Sequence, residues 1–295
     1  MTQLSVVIVN YNSTTDLLQC LSSIRSAQEG DHVQVVVVDN ASADQSSLHN
    51  ELRCFSPVLL LNRENEGFAR ACNRGIRHCQ TPFFLLLNPD VTVHHRALSR
   101  TLDYLRSRPQ TGVVGCRILN PDGSLQLACR RSIPTVRNSL YRFLGLSRLF
   151  PRSREFGAYN LTCLDEHKTQ PVEAVSGSFL MFRRELIEVI GLLDERFFLY
   201  GEDLDFCYRA LQAGWLVEYY AEATVTHLKS RSSDQDTAVN TRHFYNAMKI
   251  FHAKHYAPTA KPLQIRLVMA GIDLAHVARR VRQSLGGSRR VASKR

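Results

Sequence analysis

At 295 residues, 44% apolar and 22% charged, the chain has the length and composition to bury a full core in one large domain, or in one domain with an appendage. Its net charge of +10 is unevenly placed: seven basic residues and no acidic one fall between Arg279 and Arg295, so the body is near neutral and a nucleic-acid-binding domain is excluded. Eight cysteines without a C-x-x-C pair read as reduced, mostly buried thiols of a cytosolic protein, not as a disulfide framework.

Neither a signal peptide nor a spanning helix is expected. The first apolar stretch lacks a basic flank, and the region 263–278 is interrupted by Arg266, Asp273 and His276. From there the first half alternates short β-branched or leucine-rich runs with amphipathic segments, the pattern of βαβ units and a buried parallel sheet. Strands are predicted over 4–9, 33–38, 58–61, 83–87 and 113–116. The helices between them are one carrying Leu17, Leu21 and Ile24 on a single face, then 44–53, 69–78 and 96–108. Four successive strands end in a carboxamide or carboxylate: Asn10, Asp39, Asn62 and the triplet Asn88, Pro89, Asp90. Each alone suits a turn or a helix cap, but four in a row point to a shared binding edge outside the carboxyl ends of the sheet.

The alternation stops after Arg117. A turn at 120–123 predicts a hairpin between 113–116 and 125–129. Residues 130–170, rich in Arg, Ser and Pro, read as a variable, partly mobile segment over the site. Strands return at 172–175 and 178–182, followed by a short helix ending at Gly191. Two further strands are predicted at 216–220 and 223–226, with His227 at the end, and then helices over 240–256 and 263–285. On the last helix Leu267, Ala270, Leu274, Val277, Val281 and Leu285 share one side.

Between these elements an aromatic run, Phe197, Phe198 and Tyr200, meets Glu202, Asp203 and Asp205 at a helix start marked by Gly201. Carboxylates in a first helical turn are favoured by the helix dipole, which is one reading. The other is a general base whose pKa is raised by an apolar wall. Spacing alone does not choose between them.

Six motifs in order, SVVIVNYN (5–12), VVVDNAS (36–42), NEGFARACNRG (65–75), LLLNPD (85–90), GSFLMFRR (177–184) and GEDLD (201–205), resemble the family 2 glycosyltransferases, and within them the bacterial rhamnosyltransferase-type members. The resemblance spans residues 4 to about 230. It implies an α/β fold of the GT-A type, a Rossmann-like, mostly parallel sheet flanked by helices; the C-terminal helical extension beyond about residue 235 lies outside the resemblance and is read from its own composition. The expected organisation is a transferase domain over 1–235, with a nucleotide-sugar half over about 1–118 and an acceptor half over about 119–235. Helices over 236–285 and a basic tail over 286–295 follow.

For the site, the resemblance implies a nucleotide-diphosphate sugar at the strand rim. Asp39 reaches the base, Val9, Asn10 and Tyr11 line the nucleoside pocket, and Asn65, Gly67 and Asn88 complete the donor site. Gly67 is equally readable as a helix-entry residue. The family's Asp-x-Asp metal element reads Asn88-Pro89-Asp90 here, so one carboxylate is an amide. Asp90 and His227 are the implied ligands for Mg2+ or Mn2+. Gly177 and Ser178 are assigned to the acceptor wall, and Trp215 reads either as core or as a sugar-stacking residue. The implied chemistry is single-displacement inversion with Asp203 as general base and Glu202 its competitor. L-Rhamnose from dTDP-rhamnose is the first donor reading, with UDP-linked galactofuranose or an N-acetylhexosamine as alternatives. The implied acceptor is a saccharide or polyprenyl-linked saccharide in cell-surface polysaccharide synthesis. The basic last helix fits an anionic membrane surface, at the inner face of the cell membrane, or a helix docked on the body. A dehydrogenase fails for want of G-x-G-x-x-G after Val9, and a nucleotidyltransferase for want of a Gly-rich basic loop after the first strand. An inactive, transferase-like membrane-binding module remains a reading because of Asn88.

Overall fold

The computed structural model describes residues 2–27, 33–228 and 237–292, without the side chains of 143, 237 and 282–292. Its centre is a nine-stranded sheet. The amino-terminal half alternates β1 (Leu4–Asn10), α1 (Thr14–Ser26), β2 (Val33–Asp39), α2 (Gln45–Glu51), β3 (Val58–Leu61), α3 (Phe68–His78) and β4 (Phe83–Leu87). β3, β2, β1 and β4 lie side by side and parallel, so their carboxyl ends share one rim. All seven residues of β1 are buried, as expected of a strand covered by helices on both faces.

Next come β5 (Val91–Val93), α4 (Ala97–Arg106) and β6 (Thr111–Leu119), then β7 (Arg130–Arg131), α5 (Val136–Phe143), α6 (Leu146–Leu149), β8 (Gln170–Pro171), β9 (Ala174–Val175), β10 (Phe179–Arg183), α7 (Arg184–Ile190), α8 (Glu202–Gln212) and β11 (Leu216–His227). β10 inserts antiparallel between β4 and β6, and β11 runs parallel to β6. Strands from both predicted halves thus share one sheet. β10 is buried along its whole length, with Phe182 stacked on Phe84.

Three predictions change. The hairpin after the 120–123 turn shrinks to one bridge, Leu119 to Leu125, followed by a 3-10 turn at Leu127–Cys129. Its turn still forms, with Gly123 N–H donating to Asn120 O at 2.9 Å. The two strands expected at 216–220 and 223–226 are one strand, whose irregularity between Tyr220 and Thr224 absorbs the break. Residues 130–170 contain two short helices and are tied down by arginine: Arg130 donates to the carbonyls of Leu164 and Asp165, supplying the donors that regular pairing would.

Two helices close the chain: α9 (Thr237–His255) and α10 (Pro262–Ala292). α9 is fixed to α8 through Asp205. That carboxylate has no exposed surface, and it contacts Arg209 Nε (2.8 Å), Lys254 Nζ (2.6 Å) and His255 Nε2 (2.7 Å). Lys254 also reaches Asp194 at 2.7 Å. α10 packs on α9 through buried Ile272 and a stacked Tyr245–His276 pair. The predicted apolar side is left in solvent, with Leu267, Leu274, Val277 and Val281 all exposed. The side chains of Leu285 and of the basic residues from Arg282 onward lie outside the described residues. Among the described residues no helix is long and apolar enough to cross a membrane. All eight cysteines are unpaired.

Removing Asp205 leaves the Arg209 guanidinium with backbone carbonyls as its only hydrogen-bond partners among the described residues and Lys254 with Asp194 alone, at a site with little exposure. Asp205→Ala is therefore expected to lower unfolding free energy by about 3–5 kcal/mol in urea titration. A loss below about 1 kcal/mol would show that α9 is held by its apolar contacts alone.

Candidate active site

The turn into α8 is built by two residues in the left-handed region, Tyr200 (φ 70°) and Gly201 (φ 85°). Strain of this kind at a non-glycine residue concentrates at functional sites. In the aromatic run before it Phe197 is buried, Phe198 stacks on His243 at 4.6 Å, and Tyr200 meets Phe244 edge-on at 6.2 Å. Glu202 and Asp203, in the first helical turn, are buried.

The two carboxylates have opposite surroundings. Asp203 Oδ2 accepts from Arg131 Nη2 at 2.6 Å and from Gly177 N at 2.9 Å, and its Oδ1 accepts from Leu204 N at 2.7 Å. Glu202 Oε2 has no hydrogen-bond partner among the described residues. Burial, reinforced by the charge of Asp203, pushes the Glu202 carboxyl up to about 8. Gly177 forms the floor below both: a Cβ there would lie 3.3 Å from Asp203 Cβ and 3.4 Å from Glu202 Oε1.

Arg131 was not anticipated, because it sits in the segment read as variable. Its guanidinium also donates to Val175 O at 2.8 Å, and its strand pairs with β9, which fixes its direction. The sequence signal, two consecutive arginines after a cysteine, does not distinguish a buried arginine from a solvated one.

Beside this pair lies a second polar group. His227 Nε2 is 3.0 Å from Asp90 Oδ1 and 3.4 Å from Asn88 Nδ2, while Nδ1 is 2.9 Å from Gln126 Oε1. An imidazole held at Nδ1 by an amide, with Nε2 turned to a carboxylate across a gap that a proton or a cation fills, is a usual form of a metal-binding histidine. The donors therefore fit an oxygen-preferring divalent ion that takes its remaining ligands from a bound substrate. Among the described residues no cluster of three or more His, Cys, Asp or Glu forms a metal site without such help. Gln126 reaches this place because the predicted hairpin strand becomes a 3-10 turn.

The two groups are joined by one dipeptide. Gly177 donates its N–H to Asp203, and Ser178 accepts the N–H of Asn88 at 3.1 Å through its carbonyl. The Ser178 hydroxyl itself pairs with Ser176 at 2.8 Å.

The expected nucleotide edge is largely internally bonded. Asp39 has no exposed surface, and its oxygens accept from Asn10 Nδ2, Ser42 Oγ, Ser42 N and Gln45 Nε2 at 2.6–3.0 Å. In this conformation it presents nothing to a base, because a buried carboxylate recruits donors from its own chain. Asn10 is buried in the same network, Val9 is core, and Tyr11 alone of that segment is exposed. Asn65 accepts from Asn40 Nδ2 and from Gly67 N. Gly67 opens α3 with φ 86°, as the helix-entry reading expects, and a Cβ there would stand 2.7 Å from Phe198 O, so the aromatic run takes the space beside it. An open cavity of about 500 Å³, lined by Asn62, Arg63, Glu66 and Arg74 among others, lies at the outer end of this rim.

Trp215 is also corrected. It precedes β11 and packs over Gly112 and Arg183, at the opposite end of that strand from His227. The paired length of β11 matches the eight residue steps from Thr111 to Leu119 of β6, which places Trp215 roughly 25–30 Å from His227, so it packs with the core and not at the acceptor wall.

The glycosyltransferase-like family 2 matches residues 2–246. The chain is a family 2 glycosyltransferase. The transferase is 31% identical to the N-acetylglucosaminyl-diphospho-decaprenol L-rhamnosyltransferase of Mycobacterium tuberculosis, over 97% of its own length and 95% of the relative's. It is 22% identical to the rhamnosyltransferase WbbL of Escherichia coli, over 84% and 98% of the two chains. In fold it matches the mannosyltransferase PcManGT of Pyrobaculum calidifontis, solved with GDP-Man and Mn2+ (TM-score 0.56, 18% identity, 98% of this chain and 80% of that one). It likewise matches S. aureus TarS 1–349 (TM-score 0.54, 15% identity, 94% and 72%). The fold is thus GT-A.

Because Glu202 keeps its proton in the folded state to about pH 8 and loses it in the unfolded chain near 4.5, the native state binds more protons between those values and stability falls as pH rises through them. Glu202→Gln removes that penalty. Its thermal midpoint should gain on the wild type steadily from pH 5 to pH 8, and parallel curves would show that Glu202 is ionised throughout.

Proposed function

We propose that the transferase moves L-rhamnose from dTDP-rhamnose to a hydroxyl of a lipid-linked saccharide, with inversion at the anomeric carbon. The observation that carries this reading is the Gly177–Ser178 bridge, which sets a buried carboxylate pair directly beside the Asp90–His227 pair. One group suits removal of a proton from an attacking hydroxyl, and the other suits retention of a departing diphosphate. The near full-length similarity to an L-rhamnosyltransferase supports the sugar and the lipid-linked acceptor.

Asp203 accepts the acceptor's proton as its oxygen bonds to the anomeric carbon and the bond to the diphosphate breaks. Arg131 and the Gly177 N–H hold the carboxylate in one orientation, so attack needs no rotamer search. Asp90 and His227 would hold the Mg2+ or Mn2+, which would supply Lewis-acid stabilisation of the diphosphate. Tyr11 offers its exposed ring to the nucleoside, and a base reaches Asp39 by taking the place of the half-buried Gln45 amide. A second assignment is favoured by one observation: Glu202, whose Oε2 has no hydrogen-bond partner among the described residues and whose carboxyl burial pushes up to about 8, is the better-tuned base of the pair.

The exposed apolar side of α10 supports contact with a membrane surface beside such an acceptor, and removal of residues 279–295 is expected to lower retention on anionic vesicles.

Asp203→Asn should reduce turnover by roughly 10²- to 10⁴-fold with donor affinity nearly unchanged. Turnover within threefold of wild type, together with a comparable loss in Glu202→Gln, would transfer the role to Glu202. Thermal shift with dTDP, UDP and GDP, with and without Mn2+, reads the donor. One nucleotide is expected to give a metal-dependent rise of roughly 5–10 °C at 100 times its Kd, and Asp90→Ala should abolish it. A UDP response would select a UDP-sugar donor, and no response to any nucleotide, with no turnover, would leave an inactive membrane-binding module.

A further inference from the structure

We infer that α5, α6 and the turn after them form a docking surface for an anionic lipid bilayer, set beside the active site and separate from α10. The inference rests on the lipid-linked acceptor reading and names the surface that brings the site to it.

Three observations converge on residues 136–154. Val136, Leu140 and Leu144 recur every four residues, so they share one face, and they are 62%, 50% and 59% exposed. Leu149 and Phe150 add further exposed apolar surface at 69% and 48%. A soluble surface rarely groups so many large apolar side chains within fifteen residues without covering them.

Charge decides the occupant. The same segment carries five arginines and no acidic residue. Arg137 is paired with Glu155, and Arg142 lies over the Tyr159 ring. Arg148, Arg152 and Arg154 are exposed and have no carboxylate partner among the described residues. Leucine and phenylalanine interleaved with unpaired arginine match an interface that is apolar inside and anionic at its headgroups. A second copy of the chain would set these arginines against one another.

Position ties the surface to the chemistry. The segment begins five residues after Arg131, whose guanidinium holds Asp203, and its first turn is fixed by a capping box between Thr135 and Asn138. Asn138 also donates to Ser132 Oγ and Ile133 O, back toward Arg131. Tyr256 donates to Pro134 O, so the turn that leads into α10 abuts the same place. A lipid-linked saccharide whose lipid rests in a bilayer below α5 is thus presented beside the carboxylate pair.

The test uses the full chain with two sets of surface substitutions, Arg148→Gln/Arg152→Gln/Arg154→Gln and Leu140→Ser/Leu144→Ser, each checked for an unchanged melting midpoint. Flotation is measured with vesicles of phosphatidylcholine alone and of phosphatidylcholine mixed with phosphatidylglycerol. Each arginine near an anionic surface contributes roughly fivefold, so the charge variant should lose about 100-fold in partitioning to the anionic vesicles. The leucine variant should dissociate from them as well. Turnover with a water-soluble saccharide acceptor should match wild type in both variants, while turnover with a vesicle-embedded acceptor falls. Wild-type flotation in both variants overturns the inference, as does a concentration-dependent dimer that the leucine variant abolishes. Absence of turnover with every acceptor in the wild type would instead count against the transfer reading, and flotation would still judge the surface.

Discussion

The hydrogen bond from the Gly177 N–H to Asp203 is the constraint on which the site depends. It exists because β10 enters the sheet antiparallel between β4 and β6, bringing the two residues before it across the carboxyl end of β4. From there the backbone serves two groups at once, donating to the carboxylate of α8 and accepting from Asn88. A Cβ at 177 would stand 3.3 Å from Asp203 Cβ and 3.4 Å from Glu202 Oε1, so any side chain there would press on both carboxylates.

Buried charge is the second organising feature. Asp203 accepts from one arginine and two backbone donors, Asp205 is held by two cationic side chains and the His255 imidazole, and Oε2 of Glu202 has no hydrogen-bond partner among the described residues. Three acidic residues within four positions of one helix thus have three different tasks. The helix dipole is common to all three and so cannot account for the differences. Asp205 attaches the C-terminal helices, Asp203 is fixed in place, and the unpaired carboxyl of Glu202 stays protonated to higher pH. Leaving one buried carboxyl unpaired costs stability, a cost typical of a catalytic site.

At the nucleotide rim, the predicted convergence of polar strand ends and the alternative of turn-forming residues both hold. Asn10, Asp39 and Asn62 stand together because β1, β2 and β3 are parallel and in register. They bond chiefly to one another and to Asn40, Ser42 and Gln45, since polar groups at 0–3% exposure must be satisfied internally. Tyr11 and the cavity at the outer end offer the accessible surface there.

The alternation of apolar runs and amphipathic segments was enough to read the parallel half of the sheet and its helices, because period and burial follow directly from residue order. The six motifs were enough to read the family. Residue order did not disclose β10's antiparallel insertion, the merging of two short strands into β11, or the collapse of the hairpin into a 3-10 turn, since each depends on partners distant in the chain. Those long-range pairings bring Gln126 to His227 and Arg131 to Asp203, and they send Trp215 to the far end of its strand. Composition and pattern by themselves determined the class of fold, the family and the presence of carboxylates at a helix start. Tertiary structure alone decided which carboxylate is paired and which is not, because a pKa is set by the neighbours that folding supplies.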